Sequence, residues 1–304
     1  MKIIKKFSKP SKDINAIKAN FYYENKKMLN RILNINKFYS KQPKRVNCKN
    51  CLTKLIGNED FISFNVKYYI CRKCAHLNGG YQETDKFLNH IYKNNLGFDY
   101  SRNYSTEFNK RVKSIYSPKI SFLKKIIKKK IKLLDIGCGS GHFLKACENY
   151  NVSAIGIDVN KIMINLANKN LKNNKAYFKN SFDFEYILDS KKYNTVSLIG
   201  VLEHLKDPNF FLKLFKNSKI EYLYLSLPLF SLNCFIENAN PEMVLCSPVD
   251  RPSLGFISKG KYMFVPIIKL SATDPSALAY FASIVAILYF VFGVYLVKVS
   301  PSSM

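Results

Sequence analysis

An α/β fold, built on a doubly wound and mostly parallel sheet, is what this 304-residue sequence predicts, and three observations predict it. From Lys132 onward, short apolar runs alternate with stretches whose apolar residues recur at helical spacing. Parallel strands need such crossovers, and the helices then cover both faces of the sheet. The first run, Leu133-Leu134-Asp135-Ile136, leads into Gly137-Cys138-Gly139-Ser140-Gly141. Glycines at three alternate positions let the backbone turn tightly and come close to a ligand that a Cβ would exclude. The second run, Ala154-Ile155-Gly156-Ile157, ends at Asp158, where a carboxylate can accept both hydroxyls of a ribose.

The elements follow in chain order. Residues 1–46 are basic, and Ile14, Ile17, Phe21, Met28, Leu29, Ile32 and Leu33 predict one or two helices. Residues 47–80 hold two pairs, Cys48-x-x-Cys51 and Cys71-x-x-Cys74, whose spacing predicts a tetrahedral, structural four-thiolate zinc (Zn2+) site. Zinc knuckles commonly place glycine after the second cysteine, where this chain has Leu52 and Ala75. Residues 81–130 read as a helical connector with aromatic residues at Tyr81, Phe87, Tyr92, Phe98, Tyr100 and Tyr104. Residues 131–241 form the α/β core, its later strands at Tyr177-Phe178, Thr195–Ile199 and Tyr222–Leu225. Asparagine, frequent as far as Asn240, is absent from 242–304. That atypical tail ends in twenty uncharged residues, 278–297, which predict a hydrophobic C-terminal helix long enough to cross a bilayer. Arg251, Lys259, Lys261 and Lys269 precede it, so a membrane anchor there leaves the α/β core in the cytoplasm. The alternative is a foreign or frame-shifted stretch.

Forty-eight lysines and arginines against 21 acidic residues give a net charge of +27. Phosphate-binding proteins share that excess, but lysine is enriched here together with asparagine and isoleucine, as a codon-level bias produces. Nucleic acid is therefore the secondary expectation for a partner. The run Lys124, Lys125, Lys128, Lys129, Lys130 and Lys132 reads as a solvated connector, with a phosphate-bearing substrate or an anionic membrane as the alternative. Paired cysteines at metal spacing and no apolar N-terminal stretch of secretory length point to a reducing cytoplasm.

The glycine spacing differs from the dinucleotide fingerprint, whose third glycine lies three residues after the second. A further block, Leu198-Ile199-Gly200-Val201-Leu202-Glu203-His204, puts a Glu-His pair just past the fourth core strand. Ligands of such sheets sit at this carboxyl edge. His204 suits a general base, with an ordinary pKa near neutrality, and Glu203 is placed to orient it.

On these motifs, residues 132–228 resemble the class I S-adenosylmethionine-dependent methyltransferases. The resemblance implies that Asp135, Gly137, Cys138, Gly139 and Gly141 hold the amino-acid end of S-adenosyl-L-methionine. It further implies that Asp158 and Val159 hold the ribose, that Ser181 and Phe182 flank the adenine, and that Gly200 lies near the reacting sulfur. Some relatives extend the later block to Glu-x-x-Glu-His and hold a divalent metal there; Gly200 replaces the first glutamate here, so no catalytic metal is expected. With the four-cysteine module and the stretch Ala75–Thr84, residues 45–241 are similar to a bacterial group acting in sugar and surface-polysaccharide biosynthesis, including C-methyltransferases of nucleotide-linked sugars. That resemblance implies a small-molecule acceptor, a sugar-nucleotide or glycan precursor, with Glu203 and His204 abstracting a proton. It also implies further strands and a histidine segment after the fifth core strand, and no histidine follows His204. An RNA methyltransferase and a truncated cofactor-binding protein without activity are the competing readings.

Overall fold

The computed structural model describes residues 21–92, 107–227, 267–270 and 294–299, with side chains over 30–92 and 107–227. Ile14, Ile17, Phe98, Tyr100, Tyr104 and residues 278–293 lie outside the described residues.

Helix α1 (Phe21–Tyr39) leads into a small antiparallel sheet of β1 (Phe61–Ser63), β2 (Val66–Ile70) and β3 (Leu77–Gly79). Helix α2 (Asp85–Tyr92) follows. Helix α3 (Phe108–Arg111), a π-helical stretch Val112–Tyr116 and α4 (Ser117–Ile126) then run on without a break. The α/β core comprises β4 (Lys132–Ile136), α5 (His142–Asn149), β5 (Ser153–Asp158), α6 (Lys161–Asn170), β6 (Lys175–Phe178), α7 (Phe184–Asp189), β7 (Thr195–Ile199), α8 (Pro208–Asn217) and β8 (Tyr222–Ser226).

Strands β6-β5-β4-β7-β8 are parallel neighbours in that order. The chain runs outward from β4 through β5 to β6, then returns to β7 on the other side of β4 and goes on to β8, so the direction switches between β4 and β7. Successive side chains enter opposite faces. Leu133, Tyr222 and Tyr224 join one buried layer with Ile120, Leu123, Phe143 and Leu144. Leu134, Leu223 and Leu225 join the other with Leu188, Phe211 and Phe215. Burial on both faces is what made these strands read as continuous apolar runs.

Two findings concern the tail. The further strands implied after the fifth core strand are present among the described residues: β9 (Ile267–Leu270) and β10 (Val294–Val299) complete seven strands, β10 lying antiparallel to β8 and parallel to β9. Val294–Val297, the end of the expected membrane helix, is therefore strand, its backbone groups paired with β8. No helix of the described residues is long and apolar enough to cross a membrane.

Candidate functional site

The glycine loop leaves β4 at the topological switch, where the carboxyl ends of parallel strands open a crevice. Its fold is dictated by two glycines. At Gly137 φ is +70°, and a Cβ would stand 2.4 Å from Val201 Cγ2, in the loop after β7. At Gly141 φ is +80°, and a Cβ would meet Ala167 at 2.8 Å. Gly139, by contrast, has open space where its side chain would be.

Asp158 closes the loop from β5. Its Oδ2 accepts the Gly139 N–H at 2.8 Å and its Oδ1 accepts the Asn160 N–H at 2.8 Å. Burial raises its pKa, although backbone donors oppose the shift. Helix α6 is capped by Asn160, whose Oδ1 accepts from Ile162 and Met163. Asp158 is thus spared the capping role and faces the loop. Asp135 is buried in β4 and accepts a 2.6 Å hydrogen bond from Ser197 Oγ. Burial pushes it up to about 7; the Ser197 bond opposes this and the charge of Asp158 adds to it.

The remaining expected cofactor residues spread along the same edge. Cys138 gives its N–H to the Ile157 carbonyl, while its thiol is buried against Gly156, where a Cβ would lie 2.6 Å from Sγ. Val159 is half-buried beside Asp158. After β6, Ser181 is exposed and Phe182 is half-buried, its ring 5.8 Å from that of Phe184. Asp183 caps α7 by accepting the Tyr186 N–H.

Past β7, Gly200 (φ +66°) turns the chain into a 3-10 turn, Leu202–His204. A Cβ on Gly200 would lie 3.8 Å from Glu203 Oε1, so the carboxyl group folds back over the strand end. Glu203 keeps 11% of its side-chain surface, and its Oε2 is buried with no hydrogen-bond partner among the described residues. Burial raises its pKa to about 7, with its own backbone N–H and the Lys49 ammonium opposing. His204 Nε2 stands 4.0 Å from Glu203 Oε1, beyond a hydrogen bond, and its ring lies edge-on to Tyr92 at 5.5 Å. Surrounding protein and then Lys49 disfavour the imidazolium, with Glu83 opposing, and push His204 down to about 4. Its side chain is 51% exposed, and water there limits the effect; the direction leaves the ring neutral at pH 7. The helix after this turn is capped by Asp207, which accepts the Phe210 N–H, so neither Glu203 nor His204 is a cap.

The N-terminal segment lies against this edge. Lys49 Nζ donates to the Glu203 carbonyl at 3.3 Å, and Asn209 Nδ2 donates to the Asn50 carbonyl. Lys206 pairs with Asp85 at 3.0 Å, and Asn160 Nδ2 donates to the Tyr92 carbonyl at 3.1 Å. Glu83 takes both Arg45 (2.5 Å) and Lys49 (3.5 Å). Sequence reasoning missed Lys49, Asn50 and Glu83. A lysine between two cysteines carries no local signal that separates it from a solvated one.

The four cysteine Sγ atoms lie within 4.8 Å of one another, with Cys48–Cys74 at 3.6 Å and Cys51–Cys71 at 3.5 Å. Four thiolates at about 2.3 Å from one ion sit roughly 3.8 Å apart, so the set fits tetrahedral zinc. The knuckle turns close by Leu52 N–H to Cys48 O and Ala75 N–H to Cys71 O. Leu52 and Ala75 take φ of 60° and 56°, the left-handed conformation glycine ordinarily fills. Cys48 is the thiol held lowest, first by the Cys74 thiol and then, against burial, by backbone donors and Asn78.

Residues 108–232 match the family described as methyltransferase domain. The chain is 36% identical over 90 residues to the ubiquinone biosynthesis O-methyltransferase of Pelagibacter ubique (strain HTCC1062), covering 28% of this chain and 36% of that protein. It thus spans about a third of the length of this curated relative. Among solved structures, magnesium protoporphyrin IX methyltransferase from Synechocystis PCC 6803 with bound SAH is similar at 18% identity and a TM-score of 0.42, over 56% of this chain and 82% of that one. The plantazolicin methyltransferase BpumL with SAH gives 22% identity and a TM-score of 0.37, over 47% and 57%.

Proposed function

We propose that this chain transfers a methyl group from S-adenosylmethionine to a small-molecule acceptor. Residues 108–232 are a class I S-adenosylmethionine-dependent methyltransferase domain. The observation that carries the reading is the pairing of Asp158 with the glycine loop at the switch point, beside the buried carboxyl of Glu203. When bound, the cofactor supplies an electrophilic sulfonium methyl group. Asp158, with one N–H on each oxygen, keeps acceptor capacity for two ribose hydroxyls. Gly139 leaves the loop open for the ligand's approach, and Ser181 and Phe182 flank the base.

Glu203 is the better proton acceptor of the Glu-His pair, because it is buried, without a hydrogen-bond partner at Oε2 among the described residues and poised near neutral pH. His204, neutral and half open to water, lines the acceptor side. The acceptor we favour is a sugar of a nucleotide-linked or glycan precursor, supported by the four-cysteine module ahead of this core. The second reading is an O-methylated acceptor, favoured by the likeness to the Pelagibacter ubique enzyme. The module's metal is structural zinc, held by Cys48, Cys51, Cys71 and Cys74.

Calorimetry with S-adenosylhomocysteine tests the cofactor. Binding of micromolar order is expected, weakened in Asp158→Ala by roughly 1.5–3 kcal/mol for the loss of charge-assisted hydrogen bonds. A folded, zinc-loaded protein that binds none removes the reading.

A further inference from the structure

We infer that Lys49 is a positioning residue of the methyl-transfer site: from between the first two module cysteines, it bolts the metal knuckle onto the turn that carries Glu203 and His204. The inference rests on Glu203 and His204 belonging to the reacting site, and it gives the cysteine module a part in building that site.

The knuckle makes two ties to the catalytic segment, one from each residue between Cys48 and Cys51. Lys49 Nζ donates to the Glu203 carbonyl at 3.3 Å, and the Asn50 carbonyl accepts from Asn209, at the start of α8. The ties bracket the segment 203–209, in which the Glu-His pair sits on a three-residue 3-10 turn, Lys206 pairs with Asp85 and Asp207 caps α8. That turn closes through His204 N–H to Val201 O (2.9 Å) and Leu205 N–H to Leu202 O (3.3 Å). So short a turn draws its stability from what packs on it rather than from its own hydrogen bonds.

Lys49 is itself held. Its side chain is 10% exposed, its ammonium is 3.5 Å from Glu83, and its backbone N–H donates to Asn78 Oδ1 at 2.8 Å. Asn78 in turn donates to Cys48 Sγ at 3.6 Å. An unbroken chain of contacts therefore runs from a metal-binding thiol to the backbone of Glu203. Around the Glu203 carboxyl stand Lys49 from the module and His204 from its own turn, with Glu83 and Arg45 next to Lys49. An ammonium there also favours the ionised carboxylate a proton acceptor needs.

Hydrogen exchange on the zinc-loaded full chain tests this without knowledge of the acceptor. In Lys49→Met, the amides of His204 and Leu205 should exchange about tenfold faster, with β4 amides unchanged and about one zinc per chain retained. Lys49→Arg, which keeps a donor and a charge, should restore slow exchange. In carbon-13 NMR the Glu203 carboxyl should titrate higher in Lys49→Met than in wild type or Lys49→Arg. Asn209→Ala, cutting the second tie, should loosen the same turn; it replaces Lys49→Met if that variant does not fold. Exchange at the wild-type rate in either cut overturns the inference. So does a rise spread equally over β4, which assigns Lys49 to overall stability. Wild-type binding of S-adenosylhomocysteine, measured alongside, reports separately on the methyltransferase reading.

Discussion

Glu203 is a carboxylate whose burial costs stability. Its pKa is raised from about 4.5 to about 7 in the folded chain, so between these values the native state binds the extra proton. Stability then falls as pH rises through this window, because the folded protein must ionise a buried group. Glu203→Gln should therefore be no more stable than wild type near pH 4 and more stable at pH 8, by up to roughly 3 kcal/mol. Denaturant unfolding at several pH values reads the difference; a pH-independent effect would mean the carboxyl is solvated. With an acceptor in hand, wild-type turnover should rise with pH through about 7, and Glu203→Gln should lose 10²–10⁴-fold, on the order expected for a positioned base. The residue types at this site were legible as Glu-His after a strand. Their division of labour was not, since the 4.0 Å gap and the unequal burial are properties of the folded turn.

The loop from β4 to α5 shows where local chemistry suffices. Gly137 needs both φ of +70° and the absence of a Cβ against Val201, from the loop after β7. Gly137→Ala should cost about 1–3 kcal/mol in strained backbone and displaced contact, and S-adenosylhomocysteine affinity should drop with it. Calorimetry and thermal unfolding together check this; unchanged affinity would show that the loop relaxes freely. Glu148, in α5, does comparable work on the loop before β6, accepting N–H bonds from Lys172, Asn173 and Asn174 at 2.7–2.8 Å. Burial opposes its ionisation, yet Lys145 and these donors outweigh it and hold its pKa below the ordinary range. Nothing in the sequence marks this strap, because a glutamate on a helix reads as an exposed charge until the loop 24 to 26 residues away closes on it.

At the scale of the molecule, two assemblies meet at one edge. The sheet domain has its own buried layers on both faces. The cysteine module has a small core among the described residues: Cys48, Cys71 and Cys74 packed with Cys51 and Leu55, and beside them the buried Phe61 and Val66. Metal binding of about 10–16 kcal/mol is of the size such a small unit needs to fold. Chelating zinc should open residues 44–84 to protease while the segment 108–227 stays folded and keeps its cofactor affinity. Mass spectrometry of the fragments checks this, and Cys71→Ser should behave like the chelated protein. A module equally resistant without metal would mean that its polar contacts alone hold it.

The strand–loop–helix order, the glycine spacing, Asp158 and the two cysteine pairs could be read directly because each is local: a period of apolar residues, a backbone that must lack a side chain, four thiols at ligand spacing. The tail could not. Its run of apolar residues fits a bilayer and a sheet equally well, and only the unpaired edge of β8 selects the sheet for Val294–Val299. The knuckle residues Leu52 and Ala75 depart from glycine, yet the folded chain holds both in the left-handed conformation. Tertiary structure likewise decided which side of the Glu-His pair is buried and that Lys49 reaches it across 154 residues. A contact between distant segments leaves no periodicity in either of them, so it exists as information only once the chain has folded.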